Sequence, residues 1–263
     1  IHGRAKTVIV LVDLLSSRNV LNEGESVVLP LYRALLHRLG YSTSIQLAEW
    51  EIRLEGERRY AEFVERYEKL YATSWTDVHH DPTVKSEMSR VLHDMKPNEF
   101  PAADSFYRGH FEIDLSAQSF ADRTLLLLAR RGGEATRAMF IADEAGQYVS
   151  RDIKRVGDLN GMAEAFQMRG NRIWLVATSQ ERLEDFVDSL EGNRTEIARL
   201  KDRFAPNLRV DLLPSDIEDV VAVRVLEKSA EGQTAVRSKF AATRNQLNAN
   251  VKLTGSRGAD LAE

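Results

Sequence analysis

The chain has 263 residues, 43% of them hydrophobic, which is enough for one large domain, or a core with a small appendage, around a sizeable buried interior. It contains no cysteine, so a disulfide frame is excluded and packing alone must hold the fold, as suits a reducing cytosol. A net charge of −4 and a pI near 6.0 leave only a local patch for any nucleic-acid contact. The longest apolar runs, such as Leu125 to Ala129, fall far short of the roughly 20 residues a bilayer span needs, so the expectation is a soluble, cytoplasmic protein. The first residue is Ile1 rather than Met, which predicts a start inside a longer polypeptide.

Thr7 to Leu14 (TVIVLVDL) is a continuous β-branched run and reads as a strand buried on both faces. Ser26 to Leu39 has Val28, Leu31, Leu35 and Leu39 at helical spacing, closed by Gly40. From Ser44 to about Met95 the pattern is helical and highly charged, with Trp50, Leu54, Phe63, Tyr67, Leu70 and Tyr71 as an interrupted apolar stripe. Asn98 to Ala103 reads as a loop, and Ser116 to Arg131 as a helix with a Ser N-cap, ended by Gly132-Gly133. Three short apolar runs follow, Ala138 to Ala142, Ile173 to Ala177 and Leu208 to Leu212, with helical stretches at about 160–168 and 181–201 between them. Alternating strands and helices predict a parallel sheet covered on both faces. Beyond Pro214 the chain reads as helical, from Ser215 to Lys228 and from about Thr234 to Leu247, with a frayed tail from Thr254.

Two adjacent carboxylates, Asp143 and Glu144, directly follow the run RAMFIA. In a parallel sheet the residues just beyond a strand's carboxyl end lie on the rim where ligands bind. Two acids placed there repel each other unless a cation or a water network uses them. An apolar strand followed by Asp-Glu is the Walker B pattern of nucleoside triphosphatases, in which Asp143 would hold Mg²⁺ through water and Glu144 would deprotonate the attacking water. An ordinary strand exit with two solvated acids fits the same letters. Thr178-Ser179-Gln180, after the strand IWLVA, puts hydroxyl and amide groups on the same rim, where Thr178 matches the sensor 1 position of AAA+ ATPases or caps the helix that follows. Arg203 precedes the run Leu208 to Leu212, as does the AAA+ arginine that reaches a neighbouring subunit's γ-phosphate; a surface pair with Asp202 or Glu196 is the plain alternative. His79, His80 and His93 lack metal-ligand spacing and read as surface residues. Tyr148 and Trp174 read as packing residues, and Arg151, Lys154 and Arg155 as a solvated helix face or a nucleic-acid contact.

The stretch Asp143-Glu144-Ala145-Gly146-Gln147-Tyr148-Val149, followed by an amphipathic helix and then Gly170 to Glu181 (GNRIWLVATSQE), resembles the large P-loop ATPase of BREX phage-defence systems, the BrxC/PglY family. The likeness runs from about residue 5 to 228 and is sharp at those two motifs. It implies an α/β P-loop NTPase core of AAA+ type over residues 1–213, a parallel sheet flanked by helices, with a helical insertion at about 44–105 and a lid-like helical segment over 214–263. It further implies ATP and Mg²⁺ as cofactors of the full-length parent, other BREX proteins as partners, a homo-oligomer, and at most indirect association with DNA. One element of the pattern is missing: no G-x-x-x-x-G-K-[ST] loop occurs, and the Lys6-Thr7 pair lacks its spacing. Either this is a fragment of an active ATPase, inactive alone, or a catalytically silent ATPase-like scaffold.

Overall fold

The computed structural model describes residues 6–15, 26–149, 153–180, 194–210, 221 and 227–250. The chain divides into two compact units, Ile1–Arg209 and Val210–Glu263.

Among the described residues three parallel strands form the sheet of the first unit: β1 (Thr7–Asp13), β2 (Arg137–Asp143) and β3 (Ile173–Ala177), in the spatial order β1-β2-β3. Its helices are α1 (Val28–Arg38), α2 (Ile45–Gly56), α3 (Tyr60–Tyr71), α4 (Trp75–Val78), α5 (Lys85–Met95), α6 (Ser105–Arg108), α7 (Ala117–Gly132), α8 (Ala145–Val149) and α9 (Ile153–Met168), followed by the helix Arg194–Arg203. Gly40 at φ +79° follows α1, and Gly133 at φ +87° ends α7, whose Ser116 cap accepts the Ser119 N–H at 3.3 Å. Alternate residues of the strands face one side, in the rows Val8–Ala138–Ile173, Val10–Phe140–Leu175 and Val12–Ala142–Ala177. On that side α1 packs on β1, α7 on β2 and α9 on β3, and Phe120, Phe140 and Phe166 meet at centroid distances of 5.2 to 5.7 Å.

The other side of the sheet departs from the expected two-sided cover. Ile9–Met139–Trp174 and Leu11–Ile141–Val176 form two apolar rows there, with Ile9 50%, Leu11 66%, Trp174 49% and Val176 41% exposed. The reason is topological. Both crossovers step the same way across the sheet, and right-handed crossovers of one direction place all their helices on one face. Trp174, expected to be packed, is therefore half exposed, whereas Tyr148 is buried as expected.

Helices α2 to α6 form the insertion, with a separate core of Leu47, Phe63, Trp75, Met88 and Leu92 among others. It is tied to the sheet-bearing part by two similar links. Glu49 of α2 accepts from Tyr32 of α1 and pairs with Arg123 of α7 at 2.6 Å; Glu55 accepts from Tyr41 and pairs with Arg131 at 2.5 Å. Burial, together with the neighbouring carboxylates, pushes both phenols above their usual range.

His79 overturns the surface reading. It is buried, and its Nδ1 meets Glu51 Oε1 at 2.7 Å; the same oxygen accepts from Trp75 Nε1 at 2.7 Å, while Glu51 Oε2 accepts from the Ser42 N–H at 2.8 Å. His93 is half-buried against the Phe100 carbonyl. The His80 ring lies 4.2 Å from His79 and 5.1 Å from His37 of α1. His80 is itself exposed, as expected; partial desolvation first, then His79 and His37, hold its imidazole below its ordinary range, against a smaller opposing pull from Glu51. A depressed histidine takes up its proton more readily in the unfolded chain, so its contribution to stability is complete above the unfolded pKa of about 6.5 and is lost as pH falls below it. The melting temperature should hold at neutral pH and drop below about pH 6.5, by less in His80→Gln. An acid profile unchanged by that substitution would contradict this.

Three further differences follow from chain geometry. The stretch expected as one helical region from Ser44 to Met95 is broken into α2 to α5, and α9 begins earlier than residue 160. The strand expected at Leu208 to Leu212 is not formed at its start, because Pro206–Leu208 is a 3₁₀ turn and Arg209 and Val210 are outside any strand; 211–212 lie outside the described residues. The same holds for the expected helix 181–201 up to residue 193, and for most of Ser215 to Lys228. In the second unit the helix Ala230–Asn250 exposes Val236 and Phe240. No helix among the described residues is long and apolar enough to cross a membrane.

Candidate functional site at the carboxyl ends of the strands

β2 ends on Asp143, in register with Asp13 at the end of β1, and the ladder continues one step further where the Thr178 N–H donates to the Ala142 carbonyl at 3.1 Å. Thr178 thus stands beside Asp143 on the carboxyl rim of the sheet. The chain then turns from β2 into α8 within one residue. Glu144 makes that turn at φ +57°, a left-handed conformation that costs a non-glycine residue about 1–2 kcal/mol. Local bonds offset the strain: the Glu144 N–H points to Thr178 Oγ1 at 3.1 Å and to Asp143 Oδ1 at 3.2 Å. Gly146 makes the close approach of α8 to the end of β3 feasible, since a Cβ there would lie 2.2 Å from Ser179 Oγ.

The exit of β3 supplies one side-chain donor to each acid. Thr178 Oγ1 donates to Asp143 Oδ1, and Gln180 Nε2 donates to Glu144 Oε1 at 2.9 Å. Asp143 Oδ2 receives no bond from the described residues, and Glu144 Oε2 is buried without a partner. No Lys or Arg pairs with either acid among the described residues. Each carboxylate is fixed through one oxygen and has the other uncommitted, an arrangement that fits a cation or a water better than it fits a structural ion pair.

Among the described residues no three His, Cys, Asp or Glu side chains form a complete metal-ligand set. A Mg²⁺ ion, which keeps most of its waters, asks for only one or two carboxylates beside substrate phosphates. The uncommitted Asp143 Oδ2 fits that role.

Asp143, Glu144 and Thr178 come together as expected; Arg203 is not among them. It ends the helix Arg194–Arg203 and packs against the last turns of α9, with Nη2 3.1 Å from Glu164 Oε2 and Nη1 2.7 Å from Gln167 Oε1. Arg155 is likewise engaged within the fold, stacked 4.3 Å over the Tyr148 ring and donating to the Tyr148 carbonyl at 3.2 Å, while Arg151 lies outside the described residues. Sequence reasoning missed the acid-holding role of Gln180, the packing need at Gly146 and the register mate Asp13. The last was within reach, because Asp13 ends its strand as Asp143 ends β2.

No protein-family model matches the chain, and no solved structure matches it. Over the described residues, fold and site define an α/β protein with an open sheet of three parallel strands flanked by helices, carrying a donor-fixed pair of acids on its carboxyl rim.

Proposed function

We propose that this chain is part of the ATPase domain of a large, cytoplasmic ATP-hydrolysing protein of a BREX bacteriophage-resistance system, supplying its Walker B and sensor 1 elements. The observation that carries the reading is the convergence of Asp143, Glu144 and Thr178 on one rim, each acid fixed through a single oxygen.

Bound ATP with its Mg²⁺ supplies an electrophilic γ-phosphorus whose charge is partly neutralised. Asp143 Oδ2 would accept from the water shell of the cation and hold it at the rim. Glu144 Oε2 takes the proton of the attacking water, while Gln180 keeps the other oxygen occupied. The Thr178 hydroxyl would keep Asp143 in place beside the γ-phosphate by donating to its Oδ1.

The phosphate-binding loop belongs, in this reading, to a strand-helix unit outside these residues that adds to the free edge of β3. A strand arriving there reverses the direction of strand order, and ligands bind at such a switch point beyond the carboxyl ends of the strands. Its crossover runs opposite to the two in this chain, so its helix falls on the bare face of Ile9, Leu11, Trp174 and Val176. Partners are other BREX proteins and further copies of the parent, with DNA contacted indirectly. Arg203 would act across subunits only after leaving Glu164 and Gln167.

The 263-residue chain by itself should bind ATP only weakly, because the backbone nest and lysine that make most phosphate contacts are not in it. Calorimetric titration is the check. A micromolar Kd, about −8 kcal/mol, would contradict a dependence on an external loop.

A further inference from the structure

Thr178, Ser179 and Gln180 meet the chain between Asp143 and Gly146 residue by residue. Thr178 Oγ1 donates to Asp143 Oδ1, and the Thr178 carbonyl accepts from the Gly146 N–H at 3.4 Å. Ser179 packs directly on Gly146, and Gln180 Nε2 donates to Glu144 Oε1 at 2.9 Å. The middle contact leaves no spare room. A Cβ added at Gly146 would stand 2.2 Å from Ser179 Oγ and 2.7 Å from Ser179 Cβ, but 3.6 Å from Ser179 Cα, an ordinary van der Waals separation. The crowding therefore comes from the Ser179 side chain, and the two residues form a seat whose space they share.

The bond at Gln180 depends on that seat. Gln180 is exposed, and the rotamer freedom an exposed glutamine gives up when held in one position nearly offsets what one bond to a charged group contributes. Such a bond persists only where the backbone already delivers the amide to the carboxylate. Ser179, adjacent in the chain and pressed on Gly146, supplies that placement. Glu144 makes its left-handed turn directly before α8, so moving α8 away from the end of β3 would draw Glu144 away from Gln180.

The bond also decides which oxygen is presented. Held at Oε1, the Glu144 carboxylate keeps one plane and leaves Oε2 as the uncommitted atom. The donor is a neutral amide, which orients the acid without bringing a positive charge beside it. A misplacement of about 1 Å at a reacting group can cost about 100-fold in rate, so a loose Glu144 would be a poor base even with its chemistry intact.

We propose that Gln180 is the positioning residue of Glu144 and that the Gly146–Ser179 seat sets it in place; this rests on the reading of Glu144 as the base that activates water. One arm of the test uses the 263-residue chain alone. In nitrogen–proton correlation NMR spectra the Gln180 side-chain amide, assigned by its loss in Gln180→Leu, should exchange with water more slowly than a free glutamine. That protection should vanish in Glu144→Ala and in Gly146→Ala, and return when Gly146→Ala is combined with Ser179→Gly, which leaves the new methyl 3.6 Å from the remaining Cα. The other arm is turnover by the polypeptide that carries the phosphate-binding loop. Gln180→Leu and Gly146→Ala should each lower kcat about tenfold or more with the Kd for ATP unchanged, and the Gly146→Ala, Ser179→Gly pair should recover to within about threefold of wild type. Isosteric Gln180→Glu, which keeps the volume but repels the acid, should be as slow as Gln180→Leu. The proposal is overturned by a Gln180 amide that exchanges freely in wild type, by wild-type kcat in Gln180→Leu, or by a double variant no faster than Gly146→Ala. A wild-type rate in Glu144→Gln would remove the base itself and the positioning with it, whereas wild-type turnover in Gln180→Leu beside a slow Glu144→Gln overturns the positioning alone.

Discussion

In the loop-carrying polypeptide that the proposed function calls for, Glu144→Gln should slow ATP hydrolysis by about 100-fold or more while nucleotide stays bound. The amide keeps the size and shape of the side chain, and its oxygen can still accept from Gln180 Nε2, so the turn at Glu144 should survive. What disappears is the basic oxygen, the one that is buried without a partner in the fold. Asp143 and its bond from Thr178 are untouched, so the place for the cation remains. Steady-state phosphate release measures the effect. Turnover equal to wild type would remove Glu144 from the role of base and return the acid pair to an ordinary strand exit.

Glu51→Ala should be the most damaging single change in the helical insertion, costing about 3–5 kcal/mol. Three donors converge on this fully buried carboxylate: Trp75 Nε1, His79 Nδ1 and the Ser42 N–H. Truncation strands all three in a dry site and leaves a cavity behind them. The loss also reaches the junction with α1, because the Ser42 hydroxyl donates to the His79 carbonyl. Glu51→Gln should lose less, since one amide oxygen still accepts while its NH₂ faces donors. Urea denaturation of the 263-residue chain reads both variants, and an unfolding free energy for Glu51→Ala within about 1 kcal/mol of wild type would contradict the central place given to this carboxylate.

The three strands were legible because β-branched and apolar runs of five to seven residues stand between helical patterns. The pairing of Asp143 with Thr178 was legible for a related reason: both follow strands whose parallel alignment puts their ends on one rim. The bare face of the sheet was not. Ile9 and Leu11 alternate with Val8, Val10 and Val12 in one unbroken apolar run, and such a run does not say which face is covered. Strand order and crossover direction decide that, and both are properties of the assembled sheet.

His79 was misread because its buried partner, Glu51, lies 28 positions upstream on another helix. The partners of Arg203 were illegible for the same reason, since the packing of two helices brings Glu164 and Gln167 to it. The left-handed turn at Glu144 carries no sequence signal either, since that conformation favours Gly or Asn. It is supported by the bonds that the Glu144 N–H donates to Thr178, just past β3, and to Asp143 at the end of β2.

Equilibrium binding of ATP to the loop-carrying polypeptide, with and without Mg²⁺, tests the assignment of the rim most directly when wild type is set beside Asp143→Ala. The expected result is Mg²⁺-dependent binding by wild type that weakens about tenfold or more in Asp143→Ala. Equal Mg²⁺-dependent affinity in the two proteins would contradict a cation held at Asp143, and with it the reading of this rim as a nucleotide site.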